Sequence, residues 1–186
     1  MEYHLTTPVT AEQLAPLRAG DAVYLSGMVY TARDAAHQRL CALLDEGKEP
    51  PFPLEGSAVY YVGPTPERPG EPIGAAGPTT SGRMDGYTPR LLELGLKIMI
   101  GKGARSAAVK EAAVRSGAVY LGAVGGAGAL IAAVVTSAEV ICWPDLGCEA
   151  VRKLTVRDFP LTVILDSAGN DLYEQGPAAY LAGLSE

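Results

Sequence analysis

From residue 22 onward the chain alternates short apolar runs with amphipathic helical ones, and that alternation restricts it to an α/β architecture. AVYLSGMV reads as a strand. ARDAAHQRLCALLDEG reads as a helix, because Ala36, Leu40, Leu43 and Leu44 recur at i, i+4, i+7 and i+8, with Gly47 as its stop. The pattern continues with the strand SAVYYVG, the helix TPRLLELG, the buried strand LKIMIG, the helix ARSAAVKEAAVRSG closed by Gly117, and the strand AVYLGAVGG. AGALIAAVV then predicts a helix, AEVICW a strand and PAAYLAGL a last helix. In VRKLTVRDFPLTVILDSAG, period-two alternation predicts two strands in a hairpin-like element, with Asp158 and Pro160 at its turn or bend. Before all this, HLTTPVTAEQLAPL suggests a short strand and a turn in which Thr10 caps AEQLAPL. With 48% hydrophobic and 19% charged residues over 186 positions, one domain over residues 1–186 is expected, a layered sheet with flanking helices.

Composition excludes several function classes. A formal charge of -6 leaves no basic face for a row of phosphates, so nucleic acid is not an expected partner. The apolar runs at residues 119–135 and 137–141 are broken by Gly and polar residues, short of the roughly 20 needed to span a bilayer. MEYHLTTPVT lacks the basic-then-apolar pattern of a signal peptide, and a cytoplasmic location is the expectation. Cys41, Cys142 and Cys148 show no CxxC spacing, which predicts neither a disulfide framework nor a metal site on this chain alone.

Three segments share one design: GMVYTARDAAH, GPTTSGRMDG and MIGKGARS each leave an extended run, pass through a polar or Gly-rich loop, and place a cation near the next helix start. There the unpaired N–H groups and dipole of a helix would add to Arg33, Arg83 or Lys102 in attracting an anion. A planar guanidinium suits a carboxylate and an ammonium supplies a compact charge, so a small diacid is the ligand these residues would take together. Taken singly, each cation reads first as a solvated surface residue. Thr79 in the long loop reads, from spacing alone, as a turn or cap hydroxyl, and Asp34 with His37 as a half-buried histidine held by a carboxylate. IGKG and GAVGGAG miss the spacings of phosphate-binding loops.

In order and spacing, SGMVYTARDAAHQRL, YYVGPTP, GPTTSGRMD, MIGKG and GGAGAL resemble the carboxy-terminal domain of class I fumarases, which in two-subunit members such as L-tartrate dehydratase is a separate β subunit. The resemblance covers residues 20–159. It implies a swivelling β/β/α domain and a larger α subunit whose three cysteines hold a [4Fe–4S] cluster with one open iron position. By position, it implies substrate binding at Arg33, Arg83 and Lys102, Thr79 as the base, and catalytic support from Asp34 and His37. The chain departs from the pattern at Cys148, in GCEAV where GMEAV is usual. The implied activity is the reversible hydration of a four-carbon dicarboxylate, fumarate/L-malate first, with L-tartrate the alternative, mesaconate a further candidate, and an α2β2 assembly. A stand-alone dicarboxylate-binding domain is the reading from another class.

Overall fold

The computed structural model describes residues 1–183. Its sheet has seven strands: β1 (Glu2–Thr6), β2 (Ala22–Thr31), β3 (Ala58–Tyr60), β4 (Ile98–Gly101), β5 (Val119–Gly122), β6 (Val135–Cys142) and β7 (Val151–Leu165). β1 to β5 pair in parallel in chain order, and β7 runs antiparallel to β5 on one side and to β2 on the other. The chain is therefore mixed α/β, but the sheet is not an open layer: β2, β3, β4, β5 and β7 close into a five-stranded ring, with β1 added to β2 and β6 to β7.

Alternation along the strands explains why both faces are apolar. Ala58, Tyr60, Ile98, Ile100, Val119 and Leu121 point into one core with Val23, Leu25, Leu154, Phe159 and Val163. Their intervening neighbours Val59, Tyr61, Met99 and Tyr120 pack into a second core on the other face. That core is covered by Ala36 and Leu40 of α2 (Asp34–Asp45), Leu91 and Leu92 of α3 (Thr88–Glu93), and Val109, Ala112 and Ala113 of α4 (Ala107–Ser116).

The helix ends follow local chemistry. Thr10 and Gln13 form a capping box on α1 (Ala11–Leu14), whose single turn stops ahead of Pro16. Ser106 caps α4, and Gly117 ends it in the left-handed conformation at φ 61°. Two expectations change. α5 (Gly128–Ala133) is shorter than AGALIAAVV, because the β-branched Val135 and Thr136 open β6, which pairs along β7 from Val135↔Val156. The expected hairpin is one continuous strand: at β7's bend Arg157 and Asp158 face the single Ser26, Asp158 sits at φ 51°, and its N–H donates to Ser26 Oγ at 3.0 Å. The last helix, α6, covers Leu172–Gly183, and Leu184 of the predicted stretch lies outside the described residues. Among the described residues no helix is long and apolar enough to cross a membrane.

β2 also passes close to Thr7, the residue after β1. Gly27 has φ 99°, and a Cβ there would lie 2.6 Å from Thr7 Oγ1 and 2.9 Å from the Thr7 carbonyl oxygen. Gly47 is also left-handed, at φ 69°, but with nothing within 4 Å. Gly27→Ala is expected to cost about 3 kcal/mol and roughly 10 °C in melting temperature, against about 1 kcal/mol for Gly47→Ala. Thermal melts of the two variants check this, and equal losses would refute the steric account.

Candidate functional site

Four parallel strands end side by side, and the loops leaving them carry the residues singled out in the sequence. β2 passes through Ala32 to Arg33, whose backbone is extended (φ -115°, ψ -161°) at the N-cap of α2. β3 leads to Tyr61, whose carbonyl accepts the Thr79 N–H at 2.8 Å. β4 leads to Lys102, whose N–H donates to the Thr79 carbonyl at 3.4 Å and whose carbonyl accepts the Ser81 N–H at 2.8 Å. Residues 79–81 thus form an extra rung between the ends of β3 and β4, with Thr80 bridged in parallel to Lys102. β5 ends near Gly125, where a Cβ would stand 3.8 Å from Lys102 Nζ. Carboxyl ends of parallel strands are where α/β proteins place ligands.

Arg33 and Arg83 converge on one atom. Asp34 Oδ2 lies 2.8 Å from Arg83 Nη2 and 3.8 Å from Arg33 Nη2. The arginines differ in setting: the Arg83 side chain is 51% exposed, whereas that of Arg33 is 20% exposed and its Nε is buried without a hydrogen-bond partner. Gly63, just past β3, makes room for Arg33, since a Cβ there would come within 2.7 Å of Nη1. Thr79 is half-buried, and Lys102 is exposed. None of the three cations lines the 360 Å³ hollow between residues 65–75 and α5.

Only one cation stands at a helix start as expected. Arg83 lies in the last turn of a short 3-10 segment, Ser81–Met84, and Lys102 comes five residues before α4. Moreover, α4 already holds a carboxylate at its N-terminus: the Ser106 N–H donates to Asp85 Oδ2 at 2.6 Å. The site is built on strand ends more than on helix dipoles.

The sequence reading missed Asp85, Arg105 and Glu149. Arg105 is buried, donates through Nε to Asp85 Oδ1 at 2.7 Å and through Nη2 to Thr88 Oγ1 at 3.0 Å, and lies 5.2 and 5.1 Å from the ring centres of Tyr61 and Tyr120. It therefore props up Tyr61, the residue that anchors Thr79. Asp85 directly follows GRM in the recognised motif and Glu149 lies inside GCEAV, which were their available signals; nothing in the sequence brings Glu149 to Arg33, 116 positions away.

His37 lies below the open face. It is fully buried, with Nδ1 2.9 Å from the Arg33 carbonyl oxygen, Nε2 without a partner, and its ring packed edge-on to Tyr61 at 5.5 Å. Its position supports Arg33 and does not meet solvent. Burial is the main cause that lowers its pKa from 6.5 to about 4, with nearby Arg105 adding to the shift and the Arg33 carbonyl and Asp34 opposing it.

Between those values the unfolded chain binds a proton that the folded chain refuses, so stability falls as pH falls from 6.5 towards 4. His37→Gln is expected to lose about 2 kcal/mol less than the parent between about pH 6.5 and 5. Denaturant titrations at the two pH values check this, and parallel losses in the two proteins would refute it.

The family model described as fumarase C-terminus matches residues 1–176. The chain is 39% identical to an anaerobic class I fumarate hydratase of Escherichia coli, over 88% of this chain and 30% of that protein. It is 37% identical to fumarate hydratase 2 of Leishmania major, over 88% of this chain and 29% of that one. With the β subunit of L(+)-tartrate dehydratase from Escherichia coli it shares 35% identity over 92% of this chain and 87% of the subunit. It thus spans about a third of the fumarate hydratases but nearly all of the tartrate dehydratase subunit. A match along nearly the whole chain, with its recognised motifs gathered at one end of a closed sheet, places this protein in the fumarase C-terminus family.

Proposed function

We propose that this chain is the β subunit of a hydro-lyase that reversibly adds water to a four-carbon dicarboxylate, fumarate/L-malate first. The observation that carries the reading is the convergence of Arg33 and Arg83 on one oxygen of Asp34, at the sheet end that also holds Lys102 and Thr79. Two guanidinium groups around a single carboxylate oxygen mark a place where a ligand carboxylate is stabilised. Residues 1–186 form, on this reading, one domain of the swivelling β/β/α type.

Class I fumarase-type chemistry uses a [4Fe–4S] cluster, which supplies a Lewis acid for the departing or entering hydroxyl when bound. Among the described residues no three of His, Cys, Asp and Glu come together to hold a metal. Cys41 and Cys142 are half-buried and Cys148 is exposed. This chain's residues do not fit the cluster, and we assign it to a larger α subunit, with α2β2 as the assembly and the cytoplasm as its place.

The chain's own part is to bind, orient and move a proton. Arg33 and Arg83 take one carboxylate, and Lys102 neutralises the other. Thr79 takes the proton from the carbon beside the leaving group. A threonine hydroxyl is a weak base, so the role depends on a fixed position and a neighbouring cation. Backbone hydrogen bonds hold Thr79 on both sides: its N–H donates to the Tyr61 carbonyl and its own carbonyl accepts the backbone N–H of Lys102. Asp34 orients the two arginines, and His37 steadies the Arg33 backbone from beneath.

A second reading, the β subunit of an L-tartrate dehydratase, is favoured by length, since the chain covers 87% of such a subunit. Anaerobic co-production with a cluster-bearing α subunit, then assay of fumarate, L-tartrate and mesaconate side by side, separates the two. Arg83→Ala is expected to lower kcat/KM by about a hundredfold or more, and Thr79→Val to lower kcat by a similar factor with little change in KM. Turnover of none of the three substrates, with Arg83→Ala behaving like the parent, would sink the enzyme reading and leave a binding domain without catalysis.

A further inference from the structure

Resting on that reading, we infer that Glu149 is a positioning residue for Arg33, fixing the direction in which its guanidinium meets a substrate carboxylate. Glu149 Oε2 accepts the Ala35 N–H at 3.1 Å, in the first turn of α2, while Oε1 lies 3.3 Å from Arg33 Nη2. One carboxylate thereby ties the helix start to the guanidinium that the same start carries. A substrate-binding arginine needs this, because a long side chain at an N-cap has rotamer freedom that must be removed before it selects a planar ligand.

The other contacts of Arg33 leave that task to Glu149. Asp34 is farther, at 3.8 Å, and is held more closely by Arg83, at 2.8 Å. Arg33 Nε has no hydrogen-bond partner, and Gly63 opposite Nη1 offers space but no acceptor side chain. Glu149 is itself fixed from behind. Its 3-10 segment, Pro144–Glu149, has no buried residue, yet Arg39 donates to both oxygens of Asp145, at 3.0 and 2.6 Å, and Arg152 donates to the Gly147 and Cys148 carbonyls, at 3.3 and 3.2 Å. Left-handed backbone at Trp143 (φ 53°) and Gly147 (φ 59°) folds the segment back over the start of α2.

The test uses the assembled enzyme and the substrate it turns over. Glu149→Gln keeps an acceptor for the Ala35 N–H but removes the charge facing Arg33. It is expected to raise KM about tenfold with kcat within about twofold, the size of losing one charge-assisted contact. Glu149→Asp keeps the charge on a shorter arm and should fall between the parent and Gln; it also stands in if the Gln protein does not fold. In an Arg33→Lys background, Glu149→Gln should cause no further rise in KM, since the group it positions is gone. Unchanged KM in Glu149→Gln, or additive losses in the double variant, would overturn the inference. If Arg83→Ala abolishes turnover while Glu149→Gln matches the parent, only the role of Glu149 fails. If the parent turns over none of the dicarboxylates, the functional reading fails and this inference with it.

Discussion

Everything in this molecule hangs on β7 pairing along both edges. Its middle stretch, Lys153 to Thr162, binds β2, its far end binds β5, and its near end binds β6. A parallel set of five strands would otherwise expose the edges of β2 and β5 to solvent and to other chains. Closing that set with one antiparallel strand removes both edges and gives the inner apolar faces a common interior. The bulge at Arg157 and Asp158 shifts the register by one residue, so β7 bends and still pairs with β2 on both sides of the bend, while Gly27 leaves room for Thr7. Because the ring is closed, the carboxyl ends of β2, β3, β4 and β5 cannot drift apart. Their loops are brought to one place by backbone hydrogen bonds alone, before any side chain contributes.

On that frame the acidic residues do as much to shape the site as the basic ones. Asp34 draws Arg83 towards Arg33, Glu149 ties Arg33 to the start of α2, and Asp85 closes the start of α4 while pairing with buried Arg105. Without these partners, cations packed at one end of a domain would repel one another and swing into solvent. Three cations facing two carboxylates leave one net positive charge for a ligand with two negative ones. On the proposed reading, the rest of the stabilisation comes from backbone N–H groups of the Gly-rich turns and from what the α subunit brings.

Local elements were legible in the sequence because their causes are local. Leu40 repeats at helical spacing from Ala36, Gly117 ends α4, and Ile98 to Ile100 form an unbroken buried run, so helix, stop and strand could be read from neighbours in the chain. The closure of the sheet could not, because nothing near Val163 announces that its partner is Leu121. The bend at Asp158 looked like a hairpin for the same reason: a turn residue inside alternating hydrophobics fits both, and only the pairing with Ser26 decides. At the site, the RDAAH stretch contained a real neighbourhood, with Asp34 and His37 each meeting Arg33, although His37 is held by the Arg33 carbonyl and not by the Asp34 carboxylate. Arg83 and Lys102 were recognisable as cations in suggestive loops, but their relation to helix starts was not, since helix boundaries depend on caps such as Ser106.

The buried and exposed ion pairs show how one chain can keep its arginines for different purposes. Arg105, with its side chain 1% exposed, pairs with Asp85 at 2.7 Å and has no route to a ligand; removing Asp85 would leave an uncompensated buried charge, a loss of about 3–5 kcal/mol. Arg83 makes a pair of nearly the same length, 2.8 Å, but is half exposed, and such pairs contribute only about 0–1 kcal/mol. Distance therefore does not separate the structural arginine from the one proposed to meet a ligand; solvent does. On the proposed reading, the half-exposed Arg83 can exchange its ion pair with Asp34 for a ligand carboxylate at little cost. On the proposed reading, this pair holds Arg83 in place until a dicarboxylate arrives and then yields to it, which a stronger pair in the same position would prevent.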